Sequence, residues 1–259
     1  NEYENNVNNN FYTNYIAKWC INYALENIKI VKNDHISDFI RIKEKTAISD
    51  AELAAWKNVA DLMYFPYSEK HQVYLQQDGF LDKELITVAA LDKSQRPINQ
   101  KWSWDRILRS PYIKQADTLQ GFYFFEDDFS TEELARHFDF YEPFTVHESS
   151  LSPCVHSIQA SKLNRMEQAY TFYLRTSRLD LDDYNHEVEE GLHITSMAGT
   201  WMSIVEGFGG MRIKNNMLSF EPKIPKQWNS YSFKVNFRNT IVKINVQQNG
   251  THFTVDGNE

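Results

Sequence analysis

The chain has 259 residues, 42% hydrophobic and 24% charged, which excludes a disordered protein, and it holds no apolar run near the roughly 18 residues that span a bilayer. Its 27 basic and 35 acidic residues leave a net charge of −8, which disfavours nucleic acid or an anionic membrane as partner. Only 9 glycines argue against a glycine-rich phosphate loop, while 14% aromatic residues suit a wide core or a cleft that stacks sugar rings.

The first segment, 1–10, is dominated by asparagine, punctuated by Tyr3 and Val7, and lacks the Gly and Ser of a flexible linker. Residues 12–24 place Tyr12, Tyr15, Ile16, Trp19 and Tyr23 on one stripe and predict a helix with a buried face. Ser49 or Asp50 caps a second helix with Leu53, Trp56, Ala60 and Met63 on one side. Residues 66–104 read as irregular, and long loops in compact domains are often functional. Ser110-Pro111 predicts the start of a third helix running to Phe125, with Lys114 and Gln115 in its first turn. Thr131 predicts the cap of a fourth, with Leu134 and Phe138 inward. Ser152-Pro153 predicts a long fifth helix facing inward through Ile158, Leu163, Met166, Tyr170 and Tyr173. A sixth covers 195–206 and stops at Gly207, with Met197, Trp201, Ile204 and Val205 on its face.

Six helices without intervening strands predict an α/α arrangement. Near residue 211 the pattern changes to period two. Tyr231, Phe233, Val235 and Phe237 alternate with polar residues, as do Val242, Ile244 and Val246. Asn249-Gly250 then turns into Phe253 and Val255. The reading is mainly α with a C-terminal β region: a helical domain over 1–207 and an antiparallel sheet with one buried face over 208–259. Asp256-Gly257-Asn258 is a turn signal with no strand after it, so the chain reads as a fragment. Cys20 and Cys154 fit no metal or redox spacing and read as reduced small hydrophobes. With no signal peptide at the polar N-terminus, the expected location is cytoplasmic.

Two helix starts carry most of the candidate chemistry. Ser149 and Ser150 precede the fifth helix, and His193, Thr195 and Ser196 open the sixth. A helix start offers free N–H groups and partial positive charge, so two converging starts would cradle an anion. Ordinary N-capping would equally explain Ser152 and one of Thr195 or Ser196. Glu2, among amides and aromatics, is a candidate general acid with a raised pKa, although spacing does not separate it from Glu4 or from a solvated charge. Lys114 opposes the dipole of its predicted helix, which suggests a ligand or a carboxylate partner, or else a plain surface lysine. The acidic runs 180–183 and 187–190 lack the spacing of a calcium loop and read as solvated; no histidine pair fits zinc, so no metal is expected.

NEYENNVNNNFYTNYIAKW (1–19), SPYIKQADTLQGFYFFEDDF (110–129), YEPFTVHESSLSPCVHS (141–157) and DDYNHEVEEGLHITSMAGTWMSIVEGFGGMR (182–212) resemble glycoside hydrolase family 65, and within it the maltose phosphorylase group. The resemblance implies the second half of an (α/α)6 barrel followed by a small antiparallel β-sheet domain. It implies an inverting phosphorylase that converts maltose and inorganic phosphate to glucose and β-glucose 1-phosphate without a cofactor, as a homodimer. By resemblance the general acid falls on Glu2, the residues holding the glucosyl unit on Lys114 and Gln115, and the phosphate site on Ser149, Ser150, His193, Thr195 and Ser196. Family chains are several hundred residues longer on the N-terminal side, so these residues alone are expected to be inactive. The alternatives are a phosphorylase for kojibiose, nigerose or trehalose, a hydrolase on the same scaffold, and a non-catalytic carbohydrate-binding module.

Overall fold

The computed structural model describes residues 1–256, so Gly257 and Asn258 of the expected terminal turn lie outside the described residues. The asparagine-rich start is a coil whose turns need that residue. Asn6 and Asn9 adopt left-handed backbone (φ 51° and 53°), a conformation asparagine reaches more cheaply than most residues. Asn10 caps α1 (Phe11–Asp34) by accepting from the Thr13 N–H at 2.8 Å. Its amide also donates to the Gln76 carbonyl and to Asp117, both at 3.0 Å.

The first predicted helix is therefore real and extends well beyond residue 24. Its buried face is confined to the first turns. Phe11 is fully enclosed by Tyr15, Phe65, Tyr74, Phe122 and Phe129. Trp19 and Tyr23 stand about half exposed, and Cys20 is exposed rather than a core hydrophobe; Cys154 is buried, and both are free thiols. α2 (Ile36–Thr46) has no counterpart in the predicted elements and buries no residue. α3 (Asp50–Asp61) starts at Ser49, whose hydroxyl accepts from the Glu52 N–H at 3.1 Å.

Residues 66–104 are largely irregular, as the composition suggests. They hold a two-stranded ladder, β1 (Tyr67–Ser68) with β2 (Val73–Tyr74), and short helices including α4 (Ile98–Lys101). α5 (Trp104–Arg109) follows, and Phe80, Ile98 and Ile107 anchor the stretch in the interior.

Ser110-Pro111 does not open a helix. The Ser110 hydroxyl donates back to the Ile107 carbonyl at 2.7 Å, closing α5 instead. The chain then runs extended because Ile113 pairs with the segment before α8. Its N–H donates to the Phe144 carbonyl and its carbonyl accepts from the Val146 N–H, both at 3.0 Å. α6 (Thr118–Phe124) begins only afterwards.

α7 (Thr131–Tyr141) is capped by Ser130, one residue earlier than predicted, in a reciprocal box with Glu133; Leu134 and Phe138 are buried as expected. The long fifth helix is two. α8 (Pro153–Lys162) has Pro153 in its first turn, and α9 (Met166–Ser177) returns against it after Asn164 takes left-handed backbone (φ 59°). The Ser157 hydroxyl donates to the Ala169 carbonyl at 2.9 Å across that pair. α10 (Ile194–Met202) continues into one wider π-helical stretch, Ser203–Phe208, so Gly207 does not stop it. The exit is at Gly210, at φ 59°, where a Cβ would meet the Glu221 backbone at 2.5 Å. Met197 and Trp201 are exposed rather than inward.

The switch to period two gives strands where expected. β3 (Arg212–Lys214) pairs with β4 (Met217–Ser219). β5 (Ser230–Phe237), β6 (Thr240–Gln247) and β7 (Gly250–Asp256) form an antiparallel meander with Phe233, Ile244 and Phe253 in register. Burial on the sheet is strongest at Ile244 and Val246, while Phe253 and Val255 are exposed. The sheet docks through Tyr231, whose hydroxyl donates to the Phe208 carbonyl at 2.7 Å, and through Trp228 against Phe208 and Tyr173. The described chain is thus mainly helical with a C-terminal antiparallel sheet. Among the described residues no helix is long and apolar enough to cross a membrane.

Candidate active site

The irregular run 110–117 brings Lys114 and Gln115 onto Glu2, more than a hundred residues away in sequence. Lys114 Nζ donates to Glu2 Oε2 and Gln115 Nε2 donates to Glu2 Oε1, both at 2.7 Å. The Glu2 backbone N–H donates to Gln115 Oε1 at 2.9 Å, which closes a ring of contacts. Asn1 supports both sides, its Oδ1 accepting from the Tyr3 and Lys114 N–H groups at 3.1 Å each. Beneath them Tyr3 is fully buried, with Lys114 Nζ 5.9 Å from its ring centre.

This geometry separates the two glutamates that spacing could not. Glu4 is only 9% exposed and pairs with Lys83. Lys83 also donates to the Ser110 carbonyl at 2.9 Å, and burial lowers its pKa to about 8. Glu2 is 56% exposed and directed at two polar side chains. The expected raised pKa is not found. The hydrogen bond from Lys114 holds the Glu2 carboxyl below its ordinary value, partial burial opposing it, and the Lys114 charge and Gln115 add to the lowering. Lys114 lies in a bend before α6 rather than in a helix, so the helix-dipole argument does not apply, but a carboxylate partner is present in Glu2.

The two helix starts do converge. Ser150 Oγ, before α8, lies 2.6 Å from Thr195 Oγ1 in the first turn of α10. Ser149 is buried and accepts from the Leu151 N–H at 3.1 Å. Ser152 does not cap α8: its backbone is helical, and its hydroxyl lies 3.2 Å from His147 Nδ1. Ser196 departs from the expected set. Its hydroxyl is buried and donates to the Thr176 carbonyl of α9 at 2.7 Å, which commits it to helix packing. His193 meets Asp180 through both its backbone N–H and its ring.

Three supporting residues were not legible from spacing. Glu148 is buried and accepts from Arg96 Nε and from the Ile98 N–H, both at 2.8 Å, tying the serine loop to the stretch before α4. His147 has left-handed backbone (φ 54°), and its carbonyl accepts from Arg175 at 3.0 Å; burial and the nearby Arg175 and Arg96 lower its pKa to about 3, so it is neutral. Asp180, expected to be a solvated charge, is the partner of His193. Only its place in an acidic run marked it, and such a run carries no information about a contact made thirteen residues later.

A glycosyl hydrolase family 65 central catalytic domain matches residues 1–202, and the family's C-terminal domain matches residues 211–259; the chain belongs to that family. It is similar to the maltose phosphorylase of Bacillus subtilis (strain 168), at 53% identity over 96% of this chain and 32% of that protein. It is also similar to the alpha,alpha-trehalose phosphorylase of Thermoanaerobacter brockii, at 40% identity over 98% of this chain and 33% of that protein. A solved structure of a candidate kojibiose phosphorylase from human microbiome superposes with a TM-score of 0.89 at 38% identity, covering 98% of this chain and 35% of that one. The chain therefore spans about a third of the length of these relatives.

Proposed function

We propose that these residues form the acid and phosphate side of an inverting disaccharide phosphorylase acting on maltose. The observation that carries this reading is the ring Glu2–Lys114–Gln115, in which one exposed carboxyl group is held by two side chains able to bind sugar hydroxyls. The hydrogen bond from Lys114 favours the ionised form of that carboxyl. A glucosyl unit that takes over the hydrogen bonds of Lys114 and Gln115 would remove what stabilises the anion and would cover the group, so its pKa rises toward that of a general acid.

The proton then goes from Glu2 to the glycosidic oxygen as the bond from C1 to that oxygen breaks. A phosphate oxygen, held at Ser149, Ser150, Thr195 and His193, bonds to C1 from the opposite face. Ser196 contributes through backbone placement, since its hydroxyl is already committed. Phosphate takes the place of the base-activated water of an inverting hydrolase, so a second protein carboxylate is not needed. The products are glucose and β-glucose 1-phosphate, and the proton carried by the new ester returns to Glu2 through solvent. We further assign the enzyme to the cytoplasm, as a homodimer that works without a cofactor or metal.

A second reading keeps the chemistry and changes the disaccharide to trehalose or kojibiose; the similarity to relatives of those names favours it over a non-catalytic carbohydrate-binding module. Product analysis of the natural polypeptide carrying these residues, on maltose, trehalose, kojibiose and nigerose with and without phosphate, tests both. Phosphate-dependent release of glucose and β-glucose 1-phosphate from maltose supports the first. Release only from another sugar supports the second. Hydrolysis without phosphate contradicts both.

A further inference from the structure

His193 is the one side chain of the candidate phosphate site that gains a positive charge by taking a proton, and carboxylates meet it on two sides. Asp180 Oδ2 accepts the His193 backbone N–H at 3.0 Å, and Asp180 Oδ1 lies 2.5 Å from ring Nδ1. An ionised carboxylate only accepts, so Nδ1 bears the proton and the second nitrogen, Nε2, is the one left to meet a ligand. His193 holds Asp180 below the ordinary carboxylate range despite partial burial. At the other end of the ring, Nε2 lies 3.9 Å from Glu187 Oε2.

Among the described residues, the charged groups around this pair are engaged elsewhere, and His186 Nδ1 lies 3.7 Å from Asp183 rather than beside Glu187. Asp183 lies in the same small cavity and is used by the backbone, accepting from the Glu187 N–H at 2.9 Å. Arg178 is taken by Asp182 at 2.6 Å, and Arg175 by Asn185 at 2.8 Å and the His147 carbonyl. Among the described residues, Asn185, donating weakly at 3.4 Å, is the one side chain besides the imidazole that holds this carboxylate.

We propose that Asp180 is the positioning residue of the phosphate site and that Glu187 is the anion phosphate displaces. Asp180 fixes the His193 tautomer and the orientation of its ring. Glu187, 3.9 Å from Nε2, gives way to a phosphate oxygen, so one anion replaces another beside the ring. The proposal rests on the reading of His193 as a phosphate ligand.

The test is KM for phosphate and, separately, for the disaccharide in the natural polypeptide. Asp180→Asn keeps the shape and removes the charge. It should raise the phosphate KM about tenfold or more and leave the disaccharide KM alone. Asp180→Glu, which keeps the charge, should recover part of that loss. Glu187→Gln should lower the phosphate KM a few-fold, a gain that a merely structural role would not produce. An unchanged phosphate KM in Asp180→Asn, with His193→Ala strongly impaired for phosphate, overturns the role of Asp180. A raised or unchanged phosphate KM in Glu187→Gln overturns the role of Glu187. If His193→Ala itself leaves the phosphate KM unchanged, the underlying phosphate-site reading fails.

Discussion

Gly199 sets how closely α10 lies against α8, and Gly199→Ala should therefore reach the proposed phosphate site. A Cβ at this position would stand 2.8 Å from the Cβ of Cys154, 3.0 Å from its Sγ and 3.3 Å from Thr176 Cγ2. Reaching the nearest ordinary contact distance of 3.4 Å requires the helices to part by roughly 0.6 Å. Alanine gains about 1 kcal/mol in helix propensity, but overpacking of this kind costs about 1–3 kcal/mol, so the net effect is destabilising. The same helices carry Ser150 and Thr195 at their starts, 2.6 Å apart. A rigid shift of that size opens the contact to roughly 3.2 Å, near the limit for a hydrogen bond between hydroxyls. The expected result is a melting temperature lower by a few degrees. The phosphate KM should rise several-fold while the disaccharide KM stays near its original value. Second-site variants identify the cause. Cys154→Ala leaves the Cβ in place and should not rescue Gly199→Ala. Cys154→Gly removes both close contacts and should recover most of the loss. Equal rescue by both, or an unchanged melting temperature in Gly199→Ala, would refute the argument that backbone proximity here sets the spacing of the site.

Lys114→Met should raise the titration midpoint of Glu2, because the ammonium favours the ionised form. With Glu2 more than half exposed, solvent screening keeps the rise below about one pH unit, read by NMR titration of the carboxyl carbon; a midpoint that falls contradicts the assigned pair. Buried histidines should make the fold acid-sensitive well above the carboxylate range. Burial lowers the pKa of His137 to about 4 and of His156 to about 3, below the ordinary 6.5. The unfolded chain then binds more protons than the folded one. Stability is full above about pH 6.5 and falls toward pH 4, by up to about 1.4 kcal/mol per pH unit for each such group. His137 shows why: Nε2 accepts from the Tyr74 N–H at 2.8 Å while Nδ1 meets the Glu133 carbonyl at 2.7 Å, a pattern only the neutral ring satisfies. His137→Gln should flatten the decline in melting temperature between roughly pH 7 and pH 5, and an unchanged slope would contradict the assignment.

Local signals in the sequence were reliable where local chemistry decides the structure. Thr131, one residue past the true cap, Pro153, and the alternation of Tyr231, Phe233 and Val235 each lead to the right element. They failed where distant backbone outcompetes a local signal. Ser110-Pro111 looks like a helix start, yet Ile113 pairs with Phe144 and Val146 and keeps the chain extended. Asn164 interrupts a continuous apolar stripe because α9 packs back on α8, which periodicity alone does not show. The same division holds in the site. Segment resemblance named Glu2, Lys114 and Gln115, and the structure brings them together; the serine loop and the start of α10 also meet. The depressed pKa of Glu2, the inward turn of Ser196, and the roles of Glu148 and Asp180 depend on partners supplied by other elements.

The central claim is that Glu2 supplies the proton for a phosphate-dependent cleavage. The most direct measurement compares the natural polypeptide with its Glu2→Gln variant on maltose and phosphate, following both sugar products by NMR. The wild type should form β-glucose 1-phosphate and glucose in equal amounts and only with phosphate present. Glu2→Gln should keep the fold and phosphate binding and lose turnover by about 10²–10⁴-fold. Near-normal kcat in Glu2→Gln, or glucose release by the wild type without phosphate, would contradict the account.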